Sequence, residues 1–252
     1  MSTPGWATCI RADNPGPMTL DGTNTWVLRA PGSVGCVVVD PGPLLTEHLE
    51  AVAAAGPVLV TVLTHGHPDH AEGAARFAEL AGCDVVARDP AHCVGGDPLD
   101  VDGEIWDAAG LRLTNLHTPG HTGDSICVLA ELGEERAVLT GDTVLGRGTT
   151  VVAHPDGRLA DYLASLARLR FLGQVAVLPG HGTVLPDAQA AAEAYLAHRA
   201  ERLRQVEAAL AGGAVTAREV VEVVYADVDP AVWWAAELSV RAQLDYLAEQ
   251  SA

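Results

Sequence analysis

Thr64-His65-Gly66-His67-Pro68-Asp69-His70 places three imidazoles and a carboxylate directly after an apolar run, residues 58–63. In extended backbone, residues two apart point to the same side, so His65 and His67 can grip one ion. Pro68 disfavours a helical His67 and suits the first turn of a helix. Asp69 and His70 then fall at a helix start, where they can turn toward a second ion. Imidazole with carboxylate suits zinc, and also iron or manganese. A lone histidine is ordinarily a solvated surface residue; this density of ligand types in one turn is not ordinary.

Three further positions repeat one layout, an apolar run, a glycine and then a ligand type. They are His121 in Pro-Gly-His-Thr, Asp142 in Thr-Gly-Asp-Thr and His181 in Pro-Gly-His-Gly. Singly, each reads as a turn-capping or solvated residue. Together they point to one shared site. No Ser stands in a G-x-S-x-G context, which excludes a serine-hydrolase elbow. Gly146-Arg147-Gly148 lacks the GK[ST] that would make it a phosphate loop. Arg147 reads equally as an exposed loop residue or as a contact for an anionic substrate group. His154, after the same loop, is a second candidate substrate contact beside its plainer reading as a solvated histidine. His48, His92, His117 and His198 take that plainer reading, with His117 also placed to orient a ligand.

The elements that must position these residues follow from periodicity. Strands are expected at 25–29, 35–40, 58–64, 83–87, 111–118, 125–130, 136–140 and 175–178, and helices at 44–55, 71–81, 159–172 and 186–210. Val37-Val38-Val39 and 58–63 are apolar on both faces, as in a sheet covered by helices. Gly212-Gly213 marks a break. Beyond it, Thr216 and Glu219 form a capping-box pattern, and Pro230 suits the start of a longer helix to 249.

The 252 residues carry 15 Lys+Arg against 33 Asp+Glu, a formal net charge of −18. Such a surface repels nucleic acid and anionic membrane. Residues 147–204 hold seven Arg and five acids, whereas residues 205–252 hold two Arg and eight acids. The tail therefore does not suit an RNA grip. Its paired Trp233 and Trp234 suit a substrate entrance or a subunit interface, which leaves a homo-oligomer open. Five scattered cysteines without a CxxC pair argue against a disulfide framework and for a reducing, cytoplasmic setting. No signal-peptide pattern opens the chain, and no apolar run is long enough to span a membrane.

The ligand set, in this order, resembles the metallo-β-lactamase superfamily, in the hydrolytic branch that includes glyoxalase two and ribonuclease Z. The match covers about residues 20–185. The resemblance implies a four-layer αββα sandwich, with the site at one edge between the sheets. It assigns His65, His67 and His121 to a first metal, and Asp69, His70 and His181 to a second, with Asp142 bridging. A closer resemblance lies in the stretch from Asn14 to Thr25, in Gly146-Arg147-Gly148-Thr149-Thr150 and in the helical tail. These are similar to the β-lactamase-like protein 2 group, whose tail is a small winged-helix-like domain. The short tail here leaves little room for a wing hairpin. The expected division is a catalytic domain, 1–196, and a C-terminal helical, winged-helix-like subdomain, 197–252.

The resemblance implies a binuclear, zinc-dependent hydrolase whose metal-bridging hydroxide attacks an ester, thioester or lactam-type small molecule. Asp69 would also orient that hydroxide, and Asp142 would fix the metal separation. Cleavage of single-stranded RNA is the alternative, disfavoured by charge. A mononuclear iron persulfide dioxygenase shares much of the motif and is a third reading. A diiron oxygen reductase would carry Glu at His67.

Overall fold

The computed structural model describes residues 3–251. Ten strands form two five-stranded mixed sheets. The first contains β1 (Ala7–Arg11), β2 (Asn24–Leu28), β3 (Cys36–Val39), β4 (Val58–Val62) and β5 (Val85–Val86), in that spatial order. The second contains β6 (Ile105–Ala108), β7 (Leu111–His117), β8 (Ile126–Leu132), β9 (Glu135–Gly141) and β10 (Ala176–Pro179), in the same sequential order. The β3–β4, β4–β5 and β9–β10 pairs are parallel, and the other neighbours antiparallel.

Alternation along each strand builds the layers. Val37 and Val39 of β3 face the second sheet and meet Leu113, Ile126, Val128 and Leu139 in a core between the sheets. Cys36 and Val38 face the other way. They pack with Leu49 of α1 (Thr46–Ala53) and Phe77 of α3 (Ala74–Ala81). On the far side of the second sheet, Cys127, Leu129 and Val138 pack under α4 (Leu159–Arg170) and α5 (Ala188–Ala211). The result is the expected αββα sandwich.

All eight expected strands form, within a few residues of their expected limits. β1 and β6 lie outside the expected set. The helix expected over 71–81 is two helices, α2 (Pro68–Ala71) and α3, with Glu72-Gly73 between them. Gly73 donates its N–H to the Gly42 carbonyl at 3.0 Å, and a Cβ there would meet that oxygen at 2.7 Å. Asp69 and His70 therefore sit on a single turn clamped against the β3–α1 loop.

The tail comprises α6 (Ala217–Val224), a 3-10 turn at Pro230–Val232 and α7 (Trp233–Gln250). The capping box forms as expected: Glu219 N–H donates to the Thr216 hydroxyl, and the Glu219 carboxylate accepts from Thr216 N–H. No strand follows α5 among the described residues, so this tail has no wing hairpin. The division expected at 196/197 falls inside α5, which runs unbroken from one core to the next. Tyr195 packs under the second sheet, while Val206 and Ala209 pack with Val220, Val221 and Val240 of the tail. The five cysteines are free thiols. No described helix is long and apolar enough to cross a membrane.

Candidate metal centre

Seven side chains from five chain segments converge at one edge of the sandwich. His65 and His67 leave the end of β4, and Asp69 and His70 follow on α2. His121 comes from the β7–β8 loop, Asp142 from the end of β9 and His181 from the end of β10. The ligand atoms group as His65 with His67 and His121, as His65 with His70 and Asp142, and as Asp69 with His70 and His181. The structure thus brings together all seven sequence-predicted ligands.

Second partners fix which nitrogen faces inward. Asp40 accepts from Thr64 N–H and from the Thr64 hydroxyl, both at 2.7 Å. With its proton spent, that hydroxyl accepts from His65 Nδ1 at 3.1 Å. His70 Nδ1 donates to Asp40 Oδ2 at 2.8 Å, His121 Nδ1 to the Val151 carbonyl at 2.7 Å, and His181 Nδ1 to the Gly22 carbonyl at 3.3 Å. In each of these four rings Nε2 is then the nitrogen that faces the centre.

The inward nitrogens crowd. His67 Nδ1 lies 3.1 Å from His65 Nε2 and 2.9 Å from His121 Nε2, and His70 Nε2 lies 3.2 Å from His181 Nε2. Each such contact needs a proton or a cation between its two nitrogens, and metal ions seated among the rings would satisfy all of them at once. Asp142 sits between the groups: Oδ1 is 3.4 Å from both His70 and His181 Nε2, and Oδ2 is 3.7 Å from His121 Nε2. Its Oδ1 is buried and has no hydrogen-bond partner. Asp69 Oδ2 lies 3.3 Å from His70 Nε2 and 3.2 Å from His181 Nε2, and accepts from the Thr23 hydroxyl at 2.9 Å. The donor set fits divalent metal ions.

Titration behaviour follows the same geometry. Burial, reinforced by the neighbouring imidazoles of His70 and His121, holds His65 well below the usual histidine range. Burial takes His121 down to about 4. Burial also opposes charge on His70 and His181, but carboxylates outweigh it there. Asp142, Asp40 and Asp69 push His70 well up, and Asp142 with Asp69 takes His181 up to about 9. Asp69 and Asp142 are held well below the carboxylate range by His70 and His181, against the effect of burial.

Two motif glycines are required by close approach. A Cβ at Gly120 would lie 2.3 Å from Tyr162 Cα, and φ there is +140°. A Cβ at Gly180 would lie 2.7 Å from both Asp142 Oδ1 and His70 Cε1. The Pro-Gly-His motifs thus let the chain carry a histidine where no other side chain fits.

Over the ligands lies a cavity of about 210 Å³ whose remaining walls are Met18, Pro68, Val151, Ala153, Trp234 and Leu238. Trp234 and Leu238 belong to α7, so the tail closes over the site. His154 is not part of it. Ala153 lines the cavity, the next residue turns outward, and the His154 ring pairs with Asp245 at 3.0 Å. Arg147 lines a larger, adjoining cavity and pairs with Asp21 at 3.0 Å. His117 is held by the Leu99 carbonyl and Arg88, and lines neither cavity.

Residues 18–181 match the metallo-beta-lactamase superfamily. The chain belongs to that superfamily. Its tail, residues 216–251, matches the beta-lactamase associated winged helix domain. Among relatives, an atrochrysone carboxyl ACP thioesterase of Aspergillus fumigatus is 34% identical, over 86% of this chain and 72% of its own. A beta-lactamase-like protein 2 homolog of Caenorhabditis elegans is 33% identical, over 95% of this chain and 83% of its own. The crystal structure of a metallo-beta-lactamase family protein from Thermus thermophilus superposes with a TM-score of 0.80 at 26% identity, covering 98% of this chain and 94% of the other.

Sequence reasoning missed Asp40 and Thr23 as members of the site. Asp40 is 2% exposed and adopts φ +55°, unusual for a non-glycine residue. The available signal was an Asp closing an all-apolar strand, ahead of Pro41-Gly42-Pro43.

Proposed function

We propose that this metallo-β-lactamase-fold hydrolase cleaves a small-molecule thioester at a binuclear, zinc-dependent centre, within the wider ester, thioester and lactam class. One observation carries the choice of thioester. Every titratable side chain lining the cavity over the ligands is itself a ligand: His67, Asp69, His121, Asp142 and His181. The walls otherwise offer no acid to protonate a departing group. A thiolate, with a thiol pKa of about 8.5, is a much better leaving group than an alkoxide or amide anion and depends least on such an acid. The thioesterase names of relatives support the same reading.

When bound, two divalent ions supply a hydroxide near neutral pH and polarise the scissile carbonyl. His65, His67 and His121 would hold one ion, Asp69, His70 and His181 the other, with Asp142 between them. Asp40, Thr64, Val151 and Gly22 hold the imidazoles in the tautomer that faces inward. The Thr23 hydroxyl fixes one oxygen of Asp69, which leaves the other to orient the attacking oxygen. Met18, Val151, Leu238 and Trp234 surround the scissile bond and limit its contact with bulk water. The division into 1–196 and 197–252 belongs to this reading as a change of core within α5, with Trp234 and Leu238 of α7 supplying the cavity's outer wall. A cytoplasmic setting suits five free thiols.

The test is turnover of purified, metal-counted protein on thioester, lactone, lactam and single-stranded RNA. Thioester turnover with two zinc ions per chain supports the proposal. RNA cleavage alone overturns it, as does one iron per chain with persulfide oxidation.

A further inference from the structure

Beside the cavity over the ligands lies a larger one, of about 330 Å³. Met18, His121, Asp142 and Val151 line both, so the two adjoin directly at the ligands. One wall is α5, through His198, Arg199 and Arg202. Another is the tail, through Tyr225, Val228 and Val232.

The charge of this cavity runs against the chain. The sequence carries a net −18, yet the cavity is lined by Arg147, Arg199 and Arg202 and by a single acid, the ligand Asp142. Arg147 is paired with Asp21. Arg199 and Arg202 form no ion pair among the described residues. Arg199 is 2% exposed. It donates to the Thr150 carbonyl and stands 5.0 Å from the Tyr162 ring centroid, while its Nε has no partner. Arg202 donates to the Val224 carbonyl at 3.0 Å and to Gln205 Oε1 at 2.8 Å, and lies 4.5 Å from the Tyr225 ring centroid. The buried Nδ1 of His198 is also without a partner. Carbonyls and ring faces soften a buried cation but do not neutralise it. The element missing from this wall is an anion.

The rest of the lining is apolar, with Leu20, Leu145, Val228 and Val232 among it. That combination suits a carbon skeleton ending in one compact acid group. It suits a polyanionic strand poorly, because the surrounding surface repels one.

We propose that this cavity is the acyl pocket and that Arg199 and Arg202 bind a carboxylate at the far end of the acyl group. The inference rests on the thioesterase reading and names its substrate class: thioesters of acids that carry a second carboxyl group. Water would then add to the thioester carbonyl over the ligands, the C–S bond would break with release of the thiol, and the distal carboxylate would stay bound to α5.

The experiment compares ω-carboxyacyl N-acetylcysteamine thioesters of increasing length with their methyl esters, on the metal-loaded full chain. The best acid should exceed its methyl ester in kcat/KM by about tenfold or more, as expected of one charge-assisted hydrogen bond. Arg202→Gln should take that ratio toward one, and Arg202→Lys should restore part of it. Wild type without a preference for the acid overturns the proposal, as does a preference that survives both Arg202→Gln and Arg199→Gln. If no thioester is hydrolysed, the thioesterase reading falls and the pocket is judged by calorimetry. Naphthoate should then bind wild type about tenfold more tightly than naphthamide does, and Arg202→Gln should remove the difference. Equal binding of the two probes to wild type overturns the pocket as well.

Discussion

At the scale of single residues, the candidate ligands that the fold brings together were legible as a set because their chemistry is dense and local. Three imidazoles and a carboxylate after one strand have few other uses, and the repeated glycine-ligand layout extends the set to Asp142 and His181. Asp40 stood out only as part of a polar cluster closing a strand, and its role was not legible. Its role is to accept from His70 Nδ1 and from Thr64, and those contacts exist only once β3 and β4 are paired in parallel. His154 keeps its plainer reading, since its ring pairs with Asp245 and does not line the cavity over the ligands. Asp142→Ala and His67→Ala should abolish hydrolysis and lower metal content while leaving the circular-dichroism spectrum and melting transition in place. Each removes a ligand from an edge site and leaves the core intact. Asp40→Asn keeps the shape but loses the charge that orients His70. It should weaken metal binding by about tenfold to a hundredfold in a chelator titration, the usual effect of losing such a partner. Gly180→Ala should act on metal affinity more than on melting temperature, because its Cβ would meet Asp142 and His70.

At the scale of elements, strands with a buried face were readable, the edge strands β5 and β10 among them, and the exposed edge strands β1 and β6 were not. β1 and β6 are largely exposed, so neither shows the apolar run that identifies β3 or β4. They are strands because their neighbours offer free ladder groups, a property of the sheet that the segments themselves do not show. The break between α2 and α3 was hidden for the same kind of reason, since it depends on contact with the distant Gly42. One link between elements carries a pH signature. Asp102 accepts from Arg168 Nη1 at 2.8 and 2.7 Å and from His117 N–H at 2.9 Å, and so ties the loop before β6 to α4. Burial acts against its charge, but the His117 N–H and Arg168 outweigh that and depress its carboxyl pKa. Its stabilisation is present above the unfolded carboxylate pKa, about 3.9, and is lost as pH falls through the lower folded value. Asp102→Asn should therefore melt slightly below wild type at pH 7, with the gap closing in acid. The effect is small because the pair is partly exposed. Trp234→Ala, at the mouth of the cavity, should raise KM for an aryl thioester several-fold with a smaller change in kcat, measured by steady-state kinetics. A wall that binds substrate and transition state alike acts on KM.

At the scale of the whole molecule, charge separates partners more clearly than any motif does. The chain carries a net −18, while Arg199, the cation on α5 beside the site, is buried. The tail repeats the pattern. Arg218 pairs with Glu222 at 3.2 Å and Arg241 with Glu237 at 2.7 Å, so its two cations are already neutralised along their own helices. A surface that follows a nucleic-acid backbone needs several uncommitted cations on one face, and its affinity falls steeply with salt as counterions are released. Trp234, 55% exposed, could stack on one base, worth about 1–3 kcal/mol, but that alone does not offset the repulsion. Fluorescence anisotropy with labelled single-stranded RNA should accordingly show no saturable binding by the full chain at physiological salt. Lowering the salt should give only weak binding with a shallow slope. Tight binding with a steep salt dependence would place a phosphate-tracking surface on this molecule, and the RNA reading would then displace the thioester one.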